Sequence, residues 1–275
     1  MKNNLRSVTE NQKKELLVEM LSKLNELFKE NNITYFLAYG TLIGAIRHNG
    51  FIPWDDDIDL LLPREDFIKL IRLLEKNSDK YKELNIEILE YGANKKDYYK
   101  RFKIADTRTC MVEFGSERSG VFIDIFPLDC FNNMPMSKLF KTQKKILWLD
   151  NLASLCHAGV AQGRGLKKHI YRLFLCAYKL IGLKRMENYL VNKILKIASF
   201  KEDGKICASE AGVGYVKFFD TKAWSNSIMV EFEGLKCPVP VGYHEVLTAQ
   251  YGDYMKLPPE SERHSHEYYE MFWRE

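Results

Sequence analysis

Four carboxylates in five positions, Asp55, Asp56, Asp57 and Asp59, run straight into Leu60-Leu61-Leu62-Pro63. Such a string makes a poor surface loop and a costly strand end, so it restricts the fold more than any other segment. On a strand, side chains two apart share a face. Asp57 and Asp59 are therefore expected to point the same way, about 6–7 Å apart, with Ile58 and Leu60 turned to the core. Carboxylates held that close repel unless a cation lies between them, and Mg²⁺ prefers hard oxygen ligands. Taken alone, the string fits a solvated acidic loop as well.

Two neighbouring segments shift the balance. Tyr39-Gly40-Thr41 lies upstream at an expected strand-to-helix junction. Gly40 permits close backbone approach, and amides at a helix N-terminus bind phosphate; on the plainer reading Thr41 is an N-cap. Downstream, Gly120-Val121-Phe122-Ile123-Asp124-Ile125-Phe126-Pro127 sets one acid inside an apolar strand, where a charge needs a partner or a metal. A phosphate cradle, a paired Asp-x-Asp and a third strand carboxylate together make a phosphoryl- or nucleotidyl-transfer site.

The 275 residues, 46% of them apolar, suffice for a sizeable core without disulfide staples. Residues 9–30 read as an amphipathic helix with a Thr9/Gln12 capping box. A strand is expected at 33–38, a short helix at 42–47, a second strand at 55–62 and a helix at 64–76. Further strands are expected at 86–91, 98–104, 109–114 and 121–126. Helical periodicity dominates 137–200, and a strand at 228–232 and a helix at 244–251 follow. The expected class is α+β, a mixed sheet flanked by helices. Its parts are a catalytic core over 1–136, a helical basic insert over 137–204 and a C-terminal part over 205–275 that completes the site.

The net charge of +4 conceals an uneven distribution. Between Ser137 and Arg185 stand eleven Lys and Arg residues and a single acid, Asp150, leaving the rest of the chain at −6. Residues 167–186 interleave Lys and Arg with Leu173, Phe174, Tyr178 and Ile181. That pattern suits an interfacial helix pair on an anionic membrane, or a helical subdomain whose solvated face is basic. The N-terminus lacks the apolar run of a signal peptide, and no apolar run approaches the ~20 residues of a membrane span. The six cysteines are scattered and read as reduced, mostly buried side chains. A cytoplasmic location is expected, peripheral to the inner face of the membrane if the insert binds lipid.

The strings YFLAYGTLIGAIRHNGFIPWDDDIDLLLPREDF (35–67), GVFIDIFPLD (120–129) and YGDYMKLPPESERHSH (251–266) resemble the LicD family. That family comprises bacterial phosphocholine transferases and relatives of the fukutin-type ribitol-phosphate transferases, within the nucleotidyltransferase superfamily. The resemblance implies a nucleotidyltransferase-like core with Asp57, Asp59 and Asp124 as metal-binding and catalytic carboxylates. It implies Mg²⁺ as cofactor, with Mn²⁺ as an alternative, and His266 as a further catalytic group. Gly40 and Thr41 correspond to the donor-phosphate turn. Arg47, Lys103 and Arg263 are candidate phosphate-binding cations, and Asp55 could support the pair from its own face. The implied partners are a CDP-activated alcohol, most often CDP-choline, and a glycan or lipid-linked glycan acceptor such as a teichoic acid, lipopolysaccharide or capsule precursor. The carboxylates alone fit a second reading equally, transfer of NMP from an NTP to a small or macromolecular acceptor. Nucleic-acid binding is not expected, because the Asp-x-Asp would repel a polyanion.

Overall fold

The computed structural model describes residues 6–89, 102–113, 116–130, 207–209, 218–263 and 270–274, together with parts of 137–190. Helix α1 (Glu10–Glu30) begins at the Thr9 N-cap, where the Thr9 hydroxyl accepts from the Gln12 amide and the Gln12 side chain accepts from the Thr9 amide. That reciprocal pair satisfies two amides that a helix start otherwise leaves without partners. Its apolar stripe, Leu17, Met20, Leu21, Leu24 and Phe28, is buried.

The chain then forms β1 (Phe36–Leu37), α2 (Tyr39–His48), β2 (Asp59–Pro63), α3 (Arg64–Lys76), α4 (Ser78–Glu83) and β3 (Ile86–Leu89). Strands β4 (Phe102–Asp106), β5 (Thr109–Glu113), β6 (Ser116–Ser119) and β7 (Phe122–Cys130) follow. Next come α5 (Leu166–Leu180), β8 (Cys207–Ser209), β9 (Phe218–Phe219), a 3₁₀ turn at Thr221–Trp224, the hairpin β10 (Ser227–Phe232) and β11 (Leu235–Pro240), and α6 (Tyr243–Tyr251). Strand β12 (Glu270–Trp273) closes the order.

The main sheet runs β1-β2-β7-β4-β3, with β8 on β7 and β9 beyond it. Only β2 and β7 pair parallel; the other neighbours are antiparallel, so the sheet is mixed. Side chains alternate across it. Leu60, Leu62, Ile123 and Ile125 pack with α1 and α3 in one core. Leu61, Phe126 and Leu128 face a smaller core with Phe36, Trp224 and Val246. Strands β12, β5 and β6 form a separate three-stranded sheet, to which Ser7 adds a bridge opposite Phe272.

Several expected boundaries move. The first strand shrinks to Phe36–Leu37, and the helix after it starts at Tyr39 rather than Leu42. The second strand starts at Asp59, so Asp55, Asp56, Asp57 and Ile58 are irregular backbone instead of strand. Ile58 still turns to the core beside Leu60, as expected, and its carbonyl accepts from the Asp124 amide at 3.0 Å, which carries the β2–β7 pairing back toward Asp57. The expected helices at 64–76 and 244–251 appear within a residue of those limits. Among the described residues of the insert, 166–180 and much of 137–149 are helical.

Candidate active site

The register of three strands brings candidate site residues together. Asp59 on β2 lies opposite Asp124 on β7, and Asp124 lies opposite Lys103 on β4. Residues paired in register share a face, so the three side chains form a row across adjacent strands. Farther along the same two strands, Leu61 lies opposite Phe126. The row therefore sits on the face of the sheet that carries the smaller core. The Lys103 Nζ is 2.7 Å from Asp124 Oδ2 and 3.5 Å from the centre of the Phe122 ring.

Helix α2 supports the other end of the row. The Asp59 amide donates to Thr41 Oγ1 at 2.9 Å, and Thr41 is buried. The N-cap of α2 is Ala38, so Thr41 is a brace between α2 and β2 and not a cap. Gly40 fits tightly against Asp55: a Cβ on Gly40 would come 2.5 Å from Asp55 Oδ2. A carboxylate thus stands beside the glycine expected to face a phosphate. Tyr39, just before it, adopts a left-handed φ of 47°, uncommon for a bulky residue and of a kind that clusters at functional sites. Its ring meets Phe126 edge-on at 5.4 Å.

The remaining acids have separate anchors. Lys13 Nζ, from the first turns of α1, donates to Asp56 Oδ2. Burial, then the charges of Asp57, Asp124 and Asp55, push the Asp59 carboxyl well above the usual carboxylate range, and Lys103 opposes them. Among the described residues, no three His, Cys, Asp or Glu side chains already stand as a metal cage. The donors are still hard oxygens, and the crowding at Asp59 is an excess of negative charge that a divalent cation would offset. The residues best placed to hold one are Asp57, Asp59 and Asp124.

The C-terminal string is brought to the same place. Arg47 Nη1 donates to the Tyr254 carbonyl at 2.6 Å, and Arg47 Nε donates to His48 Nε2 at 2.9 Å. The Arg263 guanidinium lies 5.0 Å from the centre of the Trp54 ring, and its Nε donates to the Pro258 carbonyl at 3.0 Å. Trp54 directly precedes Asp55, so residues 254–263 lie against 47–55. Arg47 and Arg263 hold these segments together in this structure. His266 lies outside the described residues.

Lys13, Tyr39 and Trp54 were not among the expected site residues. Trp54 lies within the string 35–67 and could have been found there. Tyr39 lies there too, although its role through the backbone has no signature in sequence, and Lys13 had no comparable signal, because it acts across 43 residues of chain.

The family described as LicD/FKTN/FKRP, nucleotidyltransferase domain, matches residues 32–153, a span that includes α2 and the Asp59–Asp124–Lys103 row. The lipopolysaccharide cholinephosphotransferase LicD of Haemophilus influenzae is 31% identical over 283 aligned positions, covering 98% of this chain and 99% of that protein. Uncharacterized proteins of Rickettsia prowazekii and Rickettsia typhi are 46% and 43% identical over 58 residues, 21% of this chain and 22% and 19% of theirs. The chain belongs to the LicD family of transferases.

Proposed function

We propose that this protein transfers phosphocholine from CDP-choline to a sugar hydroxyl of a cell-surface glycan, of the lipopolysaccharide, teichoic acid or capsule-precursor kind. The observation that carries the reading is the end-to-end similarity to the Haemophilus cholinephosphotransferase. The carboxylate row gives it a chemical basis.

In the proposed reaction the sugar oxygen bonds to the β-phosphorus, the bond from that phosphorus to the CMP oxygen breaks, and CMP leaves. The hydroxyl proton goes to Asp124 or to His266. Lys103 stands beside Asp124 and would meet the negative charge of the diphosphate. Asp57, Asp59 and Asp124 would hold Mg²⁺, or Mn²⁺ in its place, whose charge stabilises the diphosphate oxygens and the departing CMP. Fixed charges and positioning supply most of the barrier reduction in transfers of this type.

The test is product analysis with purified protein and Mg²⁺. CMP released from CDP-choline, with phosphocholine on the glycan, is the expected result. Pyrophosphate released from an NTP, with no reaction of CDP-choline, would replace this reading with nucleotidyl transfer.

A further inference from the structure

Helix α5 carries an apolar stripe that no described residue covers. Leu166, Ile170, Leu173, Phe174, Leu180 and Ile181 are all exposed, Leu166 at 76%, Leu173 at 69% and Leu180 at 86%. Their spacing of i, i+4, i+7, i+8, i+14 and i+15 puts them on one side of a helix. One edge of this arc is seated: Tyr178, one turn after Phe174, is buried, and its hydroxyl donates to the Leu149 carbonyl at 3.5 Å. The rest of the arc is apolar and in water. Large apolar side chains exposed together along one arc of a helix mark an interaction site.

Among the described residues of 137–186, the exposed charges have one sign. Arg172 and Arg185 are exposed, and so are Lys138, Lys141, Lys144 and Lys145 on the preceding helical stretch. Lys138, Lys141 and Lys145 are spaced to share a helical face with Trp148, which is 58% exposed. Cations grouped with an exposed tryptophan suit the headgroup region of a bilayer.

We infer that the exposed arc of α5, with Lys138, Lys141, Lys145 and Trp148 of the preceding helical stretch, forms a docking surface for an anionic lipid membrane. Helix α5 lies in the interfacial plane, its apolar stripe sunk toward the acyl chains, while the lysines and arginines meet headgroup phosphates. Charge and apolarity decide among occupants. A second copy would bring the exposed Lys138, Lys141, Lys144, Lys145, Arg172 and Arg185 against cations of the same kind. A nucleic acid would match the charge and leave the Leu and Phe side chains in water. An anionic bilayer satisfies both features. No helix among the described residues is long and apolar enough to cross a membrane. At 15 residues, α5 measures about 22 Å, a length suited to lying in the interface.

The test is co-sedimentation of the full chain with vesicles of phosphatidylcholine, alone or mixed with phosphatidylglycerol. It reads binding without turnover, so it stands apart from the transfer reaction. Binding is expected to the mixed vesicles, weakened at least about tenfold by raised salt. L173E/F174E is expected to abolish it, and K138Q/K141Q/K145Q to weaken it by about a hundredfold. All these positions are exposed, so both variants should keep the parent melting temperature, which is measured alongside. Failure of the parent chain to bind mixed vesicles would overturn the inference. So would undiminished binding by L173E/F174E, which would leave a general attraction to polyanions. Sedimentation velocity showing a dimer that L173E/F174E dissociates would assign the stripe to a second copy and overturn it as well.

Discussion

The Lys103 ammonium stands 2.7 Å from the Asp124 carboxylate, directly across the β4–β7 pairing. Both side chains are mostly buried. Because Asp59 faces Asp124 from the other neighbouring strand, this lysine also offsets the carboxylates crowded around Asp59. Lys103→Met would leave those acids with less compensation. It is expected to lower stability by about 2 kcal/mol, between the exposed and buried limits for an ion pair, as read by urea denaturation. Turnover should fall at least about tenfold, since the same ammonium is lost from the diphosphate. A variant with parent stability and parent turnover would make the pair incidental.

Asp59 gives a prediction of opposite sign for stability. Its folded carboxyl titrates above the ordinary 3.8, through burial and then its carboxylate neighbours. Between those two values the folded state binds more protons than the unfolded chain, so stability declines as pH rises through the window. Above it the full penalty is present. Asp59→Asn removes the charge, so without divalent cations the variant should melt higher than the parent at about pH 7. Added Mg²⁺ should raise the parent melting temperature and leave that of the variant almost unchanged, while transfer is lost. Equal Mg²⁺ shifts in both proteins would remove Asp59 from the metal site.

Much of this arrangement could be read in the chain. The capping box fixed the start of α1, and the amphipathic run 64–76 matched α3 residue for residue. In the acidic string the inward turn of Ile58 and Leu60 was legible, but alternation applied from Asp55 ignores the turn that carries Asp55 to Gly40. Local periodicity cannot show such a return. The pairing of Lys103 with Asp124 is a matter of register across 21 residues, and that of Lys13 with Asp56 spans 43. Strand β11 was also missed, although Glu233-Gly234, both at positive φ, forms the tight connection of a hairpin.

Behind the row, Arg64 and Asp129 form a buried two-point pair, Nε to Oδ1 and Nη2 to Oδ2, each at 2.7 Å. Arg64 opens α3 at the end of β2, and Asp129 lies near the end of β7, so the pair joins the two strands that carry Asp59 and Asp124. Asp129→Ala would strand a buried guanidinium and is expected to cost about 3–5 kcal/mol in urea denaturation. The double change Arg64→Met with Asp129→Leu should recover most of that loss, because no charge is left uncompensated. Additive losses in the double variant would refute the coupling.

His48 sets an acid limit on the C-terminal loop. An arginine has only donors, so the His48 Nε2 that receives the Arg47 Nε–H carries no proton. Burial first, and the Arg47 charge second, hold this imidazole below its ordinary 6.5. In the window below 6.5 the unfolded chain binds more protons than the folded one, so stability falls with pH until the folded value is passed. Protonation also removes the acceptor that orients Arg47, whose Nη1 holds the Tyr254 carbonyl. His48→Gln keeps an acceptor that does not titrate. From about pH 7 to about pH 5, the protection of amides over residues 252–258, taken relative to their intrinsic exchange rates at each pH, should fall more in the parent than in His48→Gln, and the parent should lose more of its melting temperature. Matching acid responses in the two proteins would show that the loop is held independently of the His48 proton.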